Sequence, residues 1–574
     1  MARQTPASSE NVDLAIVGTG VAGALIGSRL AEAGLRVVML DAGPRVDRDE
    51  SVNIYRGAIA KTPESPYPET AWAPHPTVLD LNHYYVQSGA DTFSSTYIRH
   101  IGGTTWHWLG SMIRLVPADF AMQREYGVGV DWPLDYEQLE SWYLEAEREL
   151  GVSGDSEHDL GSPRAAPYPL PPIPMTYGDG VMARAATDAG WSVVPTPQAR
   201  NSVAYQGRPQ CCGNAMCIPI CPIQAKYDAT VHVSRAEQAG TVVLENAVAF
   251  AIDVDSEGRV SGIRYKTPDN AEHTVTARIY VVAANAIETA KLLLISRTDA
   301  LPDGVANSSD QVGRHLCDHP TKLSIAASNE PVWPYRSPLA TAGIEALRAG
   351  AFRDQRSAFR VEIGNDGWSW PGLDPLGVAQ QLIGQGIVGD ELFHLVGERI
   401  PHQVRLASLC EQLPNPDSRI VPDETEVDAL GIPRPHLSYV VDDYTLKGLA
   451  EAEEVHDRLF DALGVSFRQH VDGYQGAGHV MGTHRMGEDA ATSVTDADGR
   501  THDHPNLFLA GAGLFPTTGT ANPTATVAAL ALRTASIIAA DVGRGPPLAG
   551  ASPVASPSAS PAASPVTAVT IDAT

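Results

Sequence analysis

Residues 12–43, VDLAIVGTGVAGALIGSRLAEAGLRVVMLDAG, decide the fold. The apolar run from Val12 to Val17 leads directly into Gly18, Gly20 and Gly23 at G-x-G-x-x-G spacing. An alanine-rich segment with helical apolar periodicity follows, Gly34 supplies its stop, and Leu35 to Leu40 forms a second apolar run ending at Asp41. Strand, tight turn, helix and strand in this order make one βαβ unit of a dinucleotide-binding α/β sheet. Gly18 permits the sharp turn, Gly20 removes a side chain where a pyrophosphate must approach, and Gly23 lets helix and strand pack closely. The helix N-terminus then presents free N–H groups to the phosphates. Asp41, followed by Ala42, stands where a carboxylate can accept hydrogen bonds from ribose hydroxyls. The unit alone does not distinguish FAD from NAD.

A chain of 574 residues exceeds one compact core, so intertwined domains are expected. The formal charge of −27 repels nucleic acid and anionic membrane and favours neutral or weakly charged small molecules. No uninterrupted apolar run reaches the roughly 18 residues that span a bilayer. The segment from Ala525 to Val542 comes nearest, with Arg533 and several hydroxyl residues interrupting it. The N-terminal residues MARQTPASSEN lack an apolar signal core, so export is not read from this chain.

Beyond the βαβ unit, residues 56–82 are rich in Pro, Tyr and Trp and predict a long surface excursion rather than a sheet. In IRHIGGTTWHWLGSMIRL, residues 98–115, Gly102 and Gly103 with Thr104 can turn backbone N–H groups toward an anion. Trp106, His107 and Trp108 supply flat surfaces for a ring system, although such aromatic clusters also serve as plain core. Asp135 is the expected N-cap of an amphipathic helix running to Val152, and proline crowding at 163–174 marks a linker. Runs from Thr241 to Asp253 and from Val260 to Lys266 predict strands around a turn at 256–258, extending the dinucleotide-binding sheet. Val248 in the first run is a candidate cofactor contact. Ile279 to Ala284 predicts a strand entering the helix of NAIETAKLLLIS.

Residues 330–478 show no motif and suit a substrate-binding domain, whereas 11–329 belong mainly to the cofactor domain, which 479–542 rejoin. In 504–542 a strand, a Gly-rich turn holding Gly511 and Ala512, and a helix begun by Asn522 and Pro523 place a second helix N-terminus near the cofactor. Residues 546–574 are nearly all Pro, Ala, Ser, Thr and Val and predict a disordered tail.

Within the loop 205–228, Cys211, Cys212, Cys217 and Cys221 fall in QCCGNAMCIPICPIQA. Vicinal Cys211 and Cys212 are poorly placed to bridge each other. Zinc usually takes ligands from separate C-x2-C knuckles. Thiolates from one short segment with a Pro after the last ligand are the pattern of iron–sulfur loops, so an iron–sulfur cluster is the leading reading, with zinc and disulfides as alternatives. Three ligands suffice for a three-iron cluster, leaving one of the vicinal pair spare. Cys317 and Cys410 read as core.

Removing a hydroxyl proton needs a base near neutrality, which His479 in GHVMGTHRMG can supply, with His484 as its rival. Asn522 can hold the same oxygen without changing charge.

Taken together these residues resemble the glucose-methanol-choline (GMC) family of FAD-dependent oxidoreductases. GTGVAG with LDAGP, IGGTTWHW, VVAANAIETAKLLL, NSSDQVGRHLCDHP at 307–320 and the motifs of His479 and Asn522 carry the resemblance in order. The cysteine loop, WAPHP and YGVGVDWP are similar to the large subunits of bacterial membrane-associated sugar, polyol and sugar-acid dehydrogenases, such as FAD-dependent glucose, gluconate, fructose and sorbitol dehydrogenases. The resemblance implies a Rossmann-like, discontinuous FAD domain with an intervening substrate domain. It also implies hydride transfer to FAD with His479 as base and Asn522 as partner, covalent FAD attachment as an option at His107, and a 3Fe-4S cluster. A small chaperone-like subunit, a cytochrome c subunit, and attachment through them to the periplasmic side of the membrane are further implications. Gly511 departs from the pattern, since many members carry an acid there. Two other classes remain to be weighed: an alcohol oxidase using oxygen, and a non-catalytic electron-transfer subunit.

Overall fold

The computed structural model describes residues 12–368 and 374–543. The expected tail at 546–574 and the first eleven residues lie outside them. At the centre is a five-stranded parallel sheet in the order Leu507–Leu509, Ile279–Val282, Leu14–Val17 (β1), Val37–Leu40 (β2), Val242–Leu244. β1 and β2 are buried throughout, which is why they read as unbroken apolar runs. The helix Val21–Glu32 (α1) joins them, and Gly27 lets it lie against Met39 and Ile16. Thr230–Gln238 and Thr524–Asp541 pack on α1.

Thr524–Asp541 is also long and apolar enough to cross a membrane, which the sequence reading denied it because Arg533 breaks the run. Its apolar window is 67% buried inside the protein, the mark of a core helix. Tyr136–Leu150 packs beside it, capped by Asp135 and Gln138 in a reciprocal capping box as the sequence predicts.

A second, antiparallel sheet orders Val465–His470, Thr321–Ser328, Gln403–Cys410, Phe359–Gly364, Ala342–Ile344 and Val194–Pro195. The long helix Asp443–Leu463 covers its back with Leu449, Ala452, Val455, Leu459 and Phe460. Its front face looks into the cavity described below. This sheet draws on residues from before the expected border at 330: it includes the strand from Thr321 and recruits Val194–Pro195 at its far edge. Strand runs interrupted by charge, such as FRVEIG, hide the period that would have announced it.

The hairpin of Val248–Val254 and Val260–Lys266 does form, but with Glu272–Val275 it makes a separate antiparallel sheet. Only Val242–Leu244 joins the parallel one, so the expected extension is corrected to a single short strand. Residues 58–85 contain no helix or strand, yet Tyr67, Ala73, His75 and Tyr84 within them are buried, so this excursion is wall rather than surface.

Candidate active site

The two glycine turns meet. Gly18 has φ +97°, and a Cβ there would lie 2.4 Å from the carbonyl oxygen of Ala283. One on Gly23 would lie 2.1 Å from that of Gly18, whereas Gly20 faces open space. Gly20 caps α1 with no side chain and no acid follows in the first turn, leaving the helix N–H groups directed at the cavity. Gly103 (φ +55°) approaches Gly20 so closely that its Cβ would stand 3.1 Å from the Gly20 Cα.

Thr19, which the sequence reading passed over, locks the two turns together. Its Oγ1 accepts from the Gly102 N–H at 3.0 Å and donates to Asp41 Oδ2 at 2.5 Å, while its own N–H reaches the same carboxylate oxygen at 3.0 Å. Asp41 also accepts from the Gly43 N–H at 3.2 Å, and burial raises its pKa against these bonds. Gly102 is thereby a turn residue (φ +96°) that does not itself line the cavity.

The cavity between the two sheets has a volume of about 830 Å³. Gly18, Gly20, Asp41, Ala42, Gly103, Thr104, His107, Gly511, Ala512, His479 and Asn522 all border it. Val248 does not: its side chain packs on Leu430 and Ile432, and its neighbours Ala247 and Ala249 take the lining positions. Trp106 also turns away, donating from Nε1 to the Ile101 carbonyl beneath Arg48, so only His107 and Trp108 of that cluster face the cavity.

His107 is held neutral by burial and by the charge of Lys226, its pKa driven down to about 3. Its Nε2 and the Oδ1 of Asn522 are buried without a hydrogen-bond partner among the described residues. The glycine cradle, the helix N–H groups and these two unpartnered atoms fit an adenine dinucleotide with a ring system at the histidine end.

At that end His479 and Asn522 come together, with Asn522 Nδ2 3.4 Å from His479 Nε2. The other ring nitrogen, Nδ1, stands 3.0 Å from Nδ1 of His319, whose Nε2 is 2.9 Å from the Gly519 carbonyl. A carbonyl only accepts, so His319 carries its proton on Nε2 and offers a lone pair at Nδ1. His479 must then donate from Nδ1, which leaves the lone pair of its Nε2 facing Asn522 and the cavity.

Burial holds His319 down to about 4 and pushes His479 well below its ordinary value, where neighbouring His319 and Arg360 also disfavour a proton on His479. Asp318 accepts from the backbone N–H groups of His479 (3.0 Å) and His319 (2.7 Å), and from Ser95, which ties both histidine-bearing loops to one carboxylate. Burial raises that carboxylate to about 6. The segment CDHP was visible in the sequence, but nothing in its spacing assigned His319 a role. The rival His484 does not border the cavity. It is sealed under Gly513, where a Cβ would lie 1.9 Å from the ring.

Of the four clustered cysteines, Cys217 and Cys221 are buried, Cys211 is partly buried and Cys212 is exposed. Buried Arg200 approaches Cys217 Sγ at 2.8 Å, and the charges of Cys217, Cys211 and Cys221 raise its pKa. The backbone N–H groups of Gly213 and Lys226 point at the sulfurs of Cys211 and Cys221, each at 3.4 Å. Each of these three thiols thus has an N–H donor directed at its sulfur. As placed, no three His, Cys, Asp or Glu side chains among the described residues converge on a common ion. Cys317 and Cys410 are buried and their thiols pushed up by desolvation, Cys410 to about 12, as core residues.

Residues 172–321 and 414–531 match the two models described as GMC oxidoreductase. The fructose dehydrogenase large subunit of Gluconobacter japonicus is 38% identical over 93% of this chain and 99% of its own length. The chain is a GMC oxidoreductase. It is thus an FAD-dependent enzyme acting on CH–OH donors, and the dinucleotide that the cavity fits is FAD. Among other GMC relatives, the 6'''-hydroxyparomomycin C oxidase of Streptomyces lividus is 31% identical over 93% of this chain and 92% of its own. The gluconate 2-dehydrogenase flavoprotein of Pantoea cypripedii is 22% identical over 92% and 94%. A formate oxidase crystal structure shares the fold, with a TM-score of 0.64 at 15% identity over 92% of this chain and 98% of that one.

Proposed function

We propose that this GMC oxidoreductase is the catalytic flavoprotein of a dehydrogenase that oxidises a hydroxyl-bearing carbon of a sugar or polyol. The observation that carries the reading is the pairing of His479 Nε2 with Asn522 at the cavity wall, its lone pair held inward by His319. His479 takes the hydroxyl proton at Nε2. The Asn522 amide donates to the same oxygen and keeps the carbon oriented. FAD, when bound in the glycine cradle, supplies the hydride acceptor. The buried Nε2 of His107 makes this residue the site where the flavin would be attached covalently.

The relatives named for fructose and gluconate dehydrogenation support the substrate class. That the first of these is a large subunit supports partner subunits, through which the chain would reach an electron acceptor on the periplasmic side of a membrane. Cys211, Cys217 and Cys221 would hold an iron–sulfur cluster between the flavin and that acceptor. The burial of Cys217 and Cys221, the N–H groups on the sulfurs of Cys211 and Cys221 and the guanidinium of Arg200 on that of Cys217 support this, and exposed Cys212 is left spare.

The test is anaerobic addition of aldoses, ketoses and polyols to the FAD-loaded chain. Bleaching of the flavin with at least one of them is expected, followed by slow reoxidation in air. Rapid oxygen consumption with peroxide release would instead make the enzyme an oxidase, and no bleaching with any of them would defeat the proposal.

A further inference from the structure

The front of the antiparallel sheet forms one wall of the cavity, and its side chains follow the two-residue period of strands. Thr321 and Leu323 of one strand, Arg405, Ala407 and Leu409 of the next, and Glu362 of the third all border the cavity. Thr321 pairs with Leu409 and lies two residues beyond His319, so this level of the wall is the catalytic end. Glu362 pairs with Ala407, one two-residue step away, and Arg405 is a further step on. At strand rise those steps amount to about 7 and 13 Å from the catalytic level. A six-carbon chain, with C–C bonds of ordinary length, covers about 6 Å and reaches the first of them. A three-carbon alcohol does not.

The charges at that distance are already matched. Arg405 donates from Nε to Asp366 Oδ1 at 2.8 Å and lies 3.5 Å from Glu362 Oε1 through Nη2. Both carboxylates raise its pKa, so the guanidinium stays charged between them. Glu362 also accepts from Arg360 at 3.3 Å, and Arg360 reaches Glu345 at 3.0 Å, so the network runs back into the protein with alternating sign. Here the cavity is bordered by one guanidinium held by two carboxylates, Glu362 and Asp366, and by Asp374, whose carboxylate accepts from the Gly377 N–H. Two other cations border the cavity: Lys61 donates to the carbonyls of Tyr55 and Arg56, and Arg99 donates to the Pro74 carbonyl and lies 3.7 Å from Glu288.

Resting on the functional reading above, we infer that Glu362, Arg405 and Asp366 form a subsite for the distal hydroxyls of an uncharged six-carbon sugar or polyol, and that this subsite rejects aldonates. Hydroxyls both donate and accept, so they can bridge carboxylate and guanidinium without disturbing the ion pairs. An aldonate carboxylate would have to displace Glu362 or Asp366 from Arg405 and would face the displaced negative charge across a low-dielectric cavity. Specificity of this kind comes as much from the repulsive element as from the attractive one.

The experiment compares kcat/KM for D-glucose, D-fructose and D-sorbitol with that for D-gluconate and for glycerol, using the FAD-loaded enzyme with its partner subunits and an artificial electron acceptor. The best neutral six-carbon compound should exceed gluconate by at least about tenfold. Glu362→Gln should lower the ratio of that compound to glycerol by about tenfold, through KM rather than kcat. Asp366→Asn should raise gluconate relative to the neutral compound. Gluconate at or above the level of the neutral compounds in the unmodified enzyme would overturn the subsite while leaving the dehydrogenase reading intact, and this comparison needs no variant to fold. Variants that shift six-carbon substrates and glycerol alike would also overturn it. Failure of every compound to reduce the flavin would defeat the functional reading and the subsite with it.

Discussion

The Nδ1 atoms of His319 and His479 face each other at 3.0 Å with their ring planes at 89°, a contact that allows only one proton between them. Since the Gly519 carbonyl claims the Nε2 proton of His319, that shared proton belongs to His479. A residue two positions before a strand of the substrate-side sheet thus sets the tautomer of a residue at the cavity wall.

Replacing His319 should therefore damage the reaction without damaging FAD binding. His319→Leu is expected to slow flavin reduction by at least about tenfold, because His479 then exchanges freely between tautomers and loses orientation. His319→Gln, whose amide oxygen can still accept from Nδ1, should recover part of that loss. Rapid-mixing measurements of flavin bleaching on both variants check it, and equal rates in the two would assign His319 a merely structural role.

The pH dependence follows from the buried imidazoles. His319 at about 4, His107 at about 3 and His479 well below 6.5 are all depressed relative to unfolded histidine. Between these values and about 6.5 the unfolded chain binds more protons than the folded one, so stability rises with pH across that window. It is fully present above about pH 6.5 and is lost as pH falls through the folded values. Thermal midpoints should accordingly decline as pH falls below 6.5, with Asp318, raised to about 6, offsetting part of the decline, and the rate of flavin reduction should show no loss of base until well under 6.5.

What the sequence made legible was local. The βαβ unit could be read in full, because strand, glycine turn and helix are adjacent in the chain and Gly18 and Gly23 are forced by contacts that a Cβ would violate, while Gly20 leaves the helix end open to the cavity. His479 and Asn522 were legible as chemistry, His107 as a residue facing a ring. His319 and Thr19 were not, because their roles depend on a carbonyl at Gly519 and an N–H at Gly102, far away in the chain. The substrate-side sheet stayed hidden for another reason: its cavity face carries Glu362 and Arg405 where a half-buried strand would ordinarily show apolar residues.

The cysteine loop makes a separable prediction. Cys212→Ser should retain iron and sulfide in anaerobically purified protein, while Cys217→Ser and Cys221→Ser should lose them, as measured by metal analysis and electron paramagnetic resonance. Zinc in place of iron, or equal loss in all three variants, would contradict the assignment of Cys211, Cys217 and Cys221.

His107 offers a visible test. Acid-precipitated protein should stay yellow if the flavin is attached through the unpartnered ring nitrogen, and His107→Ala should release it to the supernatant. Free FAD from the unmodified protein would leave His107 a packing partner of the ring.

The central claim is that Nε2 of His479 is the base, and single-turnover reduction of the flavin under anaerobic conditions tests it most directly. His479→Ala should keep its FAD yet bleach at least about a hundredfold more slowly than the unmodified enzyme with the same sugar or polyol. An unchanged rate in a variant that retains FAD would contradict it.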